Sequence, residues 1–170
     1  VGKDITISAK NTIVTGQIGV DADDAKVNID GSVNIEAGKG IAVANGGKVT
    51  IDNAVIKSNI AANAVGGEVN IAKGNVTGTI HATNGAVVNL GSTVWTGDNI
   101  GDGGKVTMTK ASKWEGDNEG SNTNLTMEYN TWNGNNTGAG AAITLSDDES
   151  WTGNHTGANA AITVNAKYVW

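Results

Sequence analysis

The chain predicts an all-β fold, a right-handed parallel β-helix of about eight to nine coils of 18–22 residues. Three observations lead there. Apolar–polar–apolar triplets recur along the whole chain, a tryptophan column recurs in its second half, and turns rich in Gly, Ala and Asn precede most of the triplets. Alternation of period two with Thr or Asn in the middle describes a strand with one buried face.

Taken in order, the triplets are Ile5-Thr6-Ile7, Val27-Asn28-Ile29, Val49-Thr50-Ile51, Val69-Asn70-Ile71, Val88-Asn89-Leu90, Val106-Thr107-Met108, Leu125-Thr126-Met127, Ile143-Thr144-Leu145 and Ile162-Thr163-Val164. Their starts are separated by 22, 22, 20, 19, 18, 19, 18 and 19 residues. Trp95, Trp114, Trp132, Trp151 and Trp170 follow at intervals of 19, 18, 19 and 19, so every tryptophan of the chain holds one position of the repeat. The first four head a Trp-x-Gly step, and Val76-Thr77-Gly78 and Val14-Thr15-Gly16 take the same place in earlier coils. Turns such as Asn45-Gly46-Gly47-Lys48 and Gly101-Asp102-Gly103-Gly104-Lys105 supply residues that accept positive φ at little steric cost. Stacked coils bring equivalent residues within about 4.8 Å of one another, the strand spacing. They turn each sequence column into an internal ladder. The absence of Pro fits, because every coil between two neighbours needs its backbone N–H groups.

Composition removes whole classes of function. The 170 residues include no Cys, Pro or Phe, all eleven basic residues are Lys, and the formal charge is −6. Disulfides, thiolate zinc sites and Cys nucleophiles are excluded, and no basic stripe is present to meet a nucleic acid. No apolar run approaches a membrane span. The chain opens on Val1 without an export signal and stops on Tyr168-Val169-Trp170, which reads as one continuous segment, residues 1–170, cut from a longer protein.

Asn84-Gly85-Ala86-Val87-Val88-Asn89-Leu90 and Ser92-Thr93-Val94-Trp95-Thr96-Gly97 resemble the repeats in passenger domains of Gram-negative autotransporter adhesins. The resemblance covers nearly the whole chain, most clearly from Val49 to Trp170. It implies an extracellular stalk or adhesin displayed at the outer membrane, with a C-terminal membrane barrel that this sequence does not contain.

Candidate chemistry is sparse. Lyases of this fold commonly use an Arg as proton acceptor, and no Arg exists here. The acid runs Asp21/Asp23/Asp24 and Asp147/Asp148/Glu149 consist of sequence neighbours, which are expected to point apart into solvent at corners rather than converge as glycosidase carboxylates do. Asp98 and Asp117 each lie three residues after a Trp and would stack one coil apart, where a cation could relieve their repulsion. They are the one candidate metal pair. The competing reading is a corner column that bonds local backbone amides, continued by Asn135 and Asn154. His81 and His155 occupy different repeat positions, against a zinc site. The sequons at Asn75, Asn124, Asn135 and Asn154 follow from composition. Neighbours that are mostly polar, Val94 excepted, turn Trp95, Trp114, Trp132 and Trp151 inward as a core ladder, the alternative being an exposed platform for glycans. Thr107, Thr126, Thr144 and Thr163, continued by Asn70 and Asn89, form an outward contact ladder. Ice binding would need a second Thr column, which the sequence supplies only at Thr107-Met108-Thr109.

The expected function is therefore a non-enzymatic structural or adhesive segment. Its expected partner is a host-cell or bacterial surface receptor, protein or glycan, or a second copy of itself. No cofactor, nucleic acid or membrane insertion is expected. The alternative is a polysaccharide-processing enzyme on the same fold.

Overall fold

A computed structural model describes residues 4–165 as a parallel β-solenoid of about nine turns, with no helix among them. Three long strands open it, β1 (Asp4–Asp23), β2 (Lys26–Ala44) and β3 (Lys48–Val65), each running through most of one coil. From there the coils break into shorter pieces. These are β4 (Glu68–Ile71) with β5 (Gly74–Thr83), β6 (Val87–Gly91) with β7 (Thr93–Thr96), and β8 (Lys105–Thr109) with β9 (Lys113–Glu115). They continue as β10 (Asn124–Glu128) with β11 (Thr131–Asn133), β12 (Ala142–Ser146) with β13 (Ser150–Thr152), and β14 (Ala161–Asn165). Every strand pairs in parallel with its equivalent one coil away. The strand order β13-β11-β9-β7-β5-β3-β4-β6-β8-β10-β12-β14 follows from β3 bending round a corner to serve both flat sides.

The triplet side is in the register that the spacing predicts: Ile5↔Val27, Val27↔Val49, Val49↔Val69, Val69↔Val88, Val88↔Val106, Val106↔Leu125, Leu125↔Ile143 and Ile143↔Ile162. On the second side the tryptophan column extends backward through Val76, Ile56, Ile35 and Val14. Val14-Thr15-Gly16 and Val76-Thr77-Gly78 thus begin on the tryptophan column, as their sequence predicts. Trp170 lies outside the described residues, as do Tyr168 and Val169. The third side stacks Val20, Ile41, Ala62 and Ile80, then changes chemistry and continues as Asn99, Asn118, Asn136 and His155.

Of the three corners between the sides, two hold non-glycine residues at positive φ. The corner before most triplets uses Asn or Gly at positive φ, as in Asn45 (51°) with Gly46 (78°) and Asn84 (54°) with Gly85 (73°), and Asp24 (46°) takes that place before Val27. The corner after the triplet holds Ser92, Lys110, Ala111, Tyr129 and Asp147 in the left-handed region, and this is where the later coils lose strand geometry. Aliphatic side chains and the indoles fill the interior between the sides. Ile5, Ile7, Ile162 and Val164 are exposed only because their coils are the first and last described.

Candidate functional site

Trp95, Trp114 and Trp132 are buried and Trp151 is half-buried. Their rings lie 4.4, 4.6 and 4.6 Å apart, with interplanar angles of 6°, 4° and 5°. Each indole also needs a hydrogen-bond acceptor, and the Trp-x-Gly step provides it one coil below. Nε1 of Trp95, Trp114, Trp132 and Trp151 donates to the carbonyls of Gly78, Gly97, Gly116 and Gly134 at 2.8–2.9 Å. The glycine is required for space: a Cβ on Gly116 would stand 2.1 Å from the Gly97 carbonyl oxygen. The faces of the described indoles are therefore turned to one another and away from solvent.

Beside this column runs a feature that sequence reasoning missed. Asn99, Asn118 and Asn136 are fully buried, and each side-chain amide donates upward. Asn99 Nδ2 reaches Asn118 Oδ1 at 2.7 Å, Asn118 Nδ2 reaches Asn136 Oδ1 at 2.6 Å, and Asn136 Nδ2 pairs with His155 Nδ1 at 2.9 Å. Asn99 Oδ1 meets the aliphatic column below and has no partner. The signal was present as the Asn or His directly after each Asp98-type residue, but nothing in the pattern alone says which of two adjacent polar residues turns inward.

Asp98 and Asp117, the candidate metal pair, lie next to that ladder, half-buried. Asp98 Oδ1 accepts from the backbone N–H of Asp117 at 2.8 Å. Asp117 Oδ1 accepts from the N–H of Asn135 at 2.7 Å and from its Nδ2 at 3.2 Å. Asn135 Oδ1 does the same for the Asn154 N–H. The amides served belong to the next coil rather than to the local turn, so this column staples coils together. Among the described residues no three His, Asp or Glu side chains come close enough to hold a metal ion.

Thr107, Thr126, Thr144 and Thr163 stack in one register on the outer face of the triplet side, below them Asn89, Asn70, Thr50, Asn28 and Thr6. Asn89 Nδ2 donates to Asn70 Oδ1 at 2.7 Å and Asn70 Nδ2 to Glu68 Oε1 at 2.8 Å, while Lys48 Nζ lies 3.0 Å from the same oxygen. The Asn70 amide, then Lys48, hold the Glu68 carboxyl below its ordinary pKa against some desolvation. Thr107 Oγ1 has no partner.

The acid runs separate in behaviour. Asp21, Asp23 and Asp24 are exposed, and Asp23 accepts from Asn45 Nδ2 at 2.6 Å. Glu149 departs from the solvated corner expected of it. It continues a buried polar column in which the Thr93 N–H donates to Ser112 Oγ, the Ser112 N–H to Asn130 Oδ1, and the Asn130 N–H to Glu149 Oε1 at 3.0 Å. Desolvation, reinforced by Asp147 and Glu128 and opposed by the Asn130 bond, pushes its carboxyl up to about 7. His81 stands apart on an outer face, its pKa lowered by burial and then by Lys39.

An apolar recess of about 340 Å³ is lined by Ile5, Ile7, Val14, Val20, Val27 and Ile29 among others. It is the core seen through the first described coil. A second, of about 340 Å³, lies on the outer face between Ile13, Asn34 and Val55 and holds no acid. Comparison with known proteins adds no relative: no family model, no curated protein and no solved structure matches the chain.

Proposed function

We propose that this chain is a non-enzymatic rod segment of an exported adhesin, of the autotransporter passenger type that its repeats resemble, and that it works at the outer surface of a bacterial cell. Its partner is a surface receptor, protein or glycan, or another copy of the same chain. The observation that carries this reading is the outer face of the triplet side, where one polar column runs unbroken from Thr6 to Thr163. Such a column offers many equivalent weak contacts, and repetition converts them into avidity without a deep pocket. The carboxylates with the best claim to chemistry, Asp98 and Asp117, are engaged with backbone amides of the next coil. That favours a coil-joining role over polysaccharide cleavage.

Display of the segment on the surface of a non-adherent bacterium tests the proposal. Attachment to host cells, or settling of the culture, is the expected result, with no hydrolysis of polysaccharide by the purified chain. Polysaccharide turnover lost in Asp98→Asn/Asp117→Asn would replace this reading with the enzymatic one.

A further inference from the structure

The triplet side carries three outward columns. The central one is uncharged, Thr or Asn in every coil. On one edge stand Asp4, Lys26, Lys48 and Glu68, paired in register, and on the other Ser8 with its partner Asp30, then Asp52 and Ala72, which directly follow the paired Ile51 and Ile71. In the second and third coils a lysine therefore faces an aspartate across the neutral column. In the first four coils the lysine edge is balanced along itself, with Lys26 at 4.0 Å from Asp4 and Lys48 at 3.0 Å from Glu68. The aspartate edge is not. Asp30 and Asp52 are exposed, Asp52 accepts only the Gly31 N–H at 3.2 Å, and among the described residues neither has a lysine within ion-pair distance. Like charges placed side by side on a sheet repel, and among the described residues this edge has no positive counterpart.

From this pattern we infer that the triplet face pairs with the same face of a second copy, the two rods lying side by side and pointing the same way. The inference rests on the self-association arm of the proposed function. A two-fold axis along the rods exchanges the two edges and keeps each coil level with its equivalent. It sets Lys26 against Asp30 and Lys48 against Asp52 of the second copy, and by symmetry the reverse, making four ion pairs. The central Thr and Asn columns meet themselves, the self-complementary arrangement that a two-fold interface requires. The opposite pairing, rods antiparallel and fully overlapped, sets Asp52 against Glu128 and leaves Lys26 facing Ala142. Nine rungs about 4.8 Å apart and strands five residues long make a face of about 38 by 17 Å, or about 1,300 Å² buried from both copies. That is within the range of about 1,200–2,000 Å² found for specific complexes. Rods anchored to one surface already point the same way, so this contact bundles copies within a surface.

Sedimentation velocity of the purified chain at low salt should show a dimer that dissociates as NaCl is raised. Lys26→Asp/Lys48→Asp and Asp30→Lys/Asp52→Lys should each be monomeric, with self-affinity about 100-fold weaker or lower, since like charges then meet. An equimolar mixture of the two should dimerise again, which a merely misfolded variant could not do. The chain has no Cys, so Thr144→Cys with a short bis-maleimide reads the direction. Coupling of Thr144→Cys to itself supports the parallel pair. Coupling only when mixed with Asn28→Cys overturns it. A monomeric parent chain, or a dimer indifferent to both charge reversals, sinks the inference. Attachment of displaying cells to host cells, measured separately, would survive that failure. Loss of attachment with the dimer intact would instead overturn the receptor arm of the proposed function.

Discussion

The coils before and after Asn84 fill similar cross-sections by different chemistry. In the first, Ile35, Ile56 and Val76 build the second side and Ile41, Ala62 and Ile80 the third. In the second, stacked indoles replace the former and a hydrogen-bonded Asn ladder replaces the latter. The first coils repeat at 21–22 residues and carry strands of 18–20 residues, whereas the coils after Asn84 repeat at 18–19 and hold strands of three to five residues. The difference teaches why a solenoid tolerates buried polar groups. In a globular core each buried amide needs a partner of its own design. Here the partner of Asn118 is the same residue type one coil up and one coil down, so repetition supplies it automatically. The cost falls at the boundary with the aliphatic column, where Asn99 Oδ1 is unpaired.

Trp132→Ala tests the comparison most severely. It removes a ring stacked on both faces and the bond to the Gly116 carbonyl, and should cost about 3–5 kcal/mol. Ile56→Val, in the same column of the aliphatic coils, should cost only about 0.5–1.5 kcal/mol. Urea titration followed by circular dichroism reads both. All five tryptophans lie after Asn84, so fluorescence reports the later coils alone, and two different midpoints would show that the regions unfold separately. Equal losses for the two substitutions would erase the distinction between them.

Next in size is the amide ladder. Asn118→Ala strands Asn99 Nδ2 and Asn136 Oδ1, and at about 1–3 kcal/mol for each buried group left unsatisfied the loss should be no less than about 2 kcal/mol. Replacing Asn99, Asn118 and Asn136 together by Val removes donors and acceptors alike. The triple variant should therefore melt closer to the parent than Asn118→Ala does. A triple variant less stable than the single one would show that the later coils cannot accept the aliphatic solution of the earlier ones.

A smaller effect of opposite sign concerns Glu149. Its folded pKa, about 7, lies above the unfolded value of 4.5, so its contribution is fully present below about pH 4.5 and is lost as pH rises through 7. Glu149→Gln keeps an acceptor for the Asn130 N–H and carries no charge. Because Glu149 is half exposed, solvent screening reduces the effect, and the variant should gain about 1 kcal/mol at pH 8 and nothing at pH 4. Thermal melts at the two pH values check this, and a uniform shift at both would assign the change to packing instead. Smallest is Glu68→Gln, which weakens an exposed pair with Lys48 and should cost less than about 1 kcal/mol, vanishing at high salt.

Much of this is legible in the sequence alone. The nine triplets, the inward Trp column and the Gly-Asn corners depend on alternation and spacing, both local properties of the chain. The polar columns were legible only in part. Asp98 and Asp117 were identifiable as stacked, yet the inward turn of the neighbouring Asn99 and Asn118 was not, because alternation gives no direction once the chain rounds a corner. Glu149 was hidden for the same reason: after Asp147 at φ 68° the strand frame is reset.

What the sequence by itself determined is the register, since a repeat of fixed length leaves each residue one equivalent neighbour above and one below. What only the tertiary structure decided is the facing of residues at the corners. There left-handed backbone, rather than strand alternation, aims the side chain, and whether an Asn meets solvent or another Asn is set by how three sides close around one core.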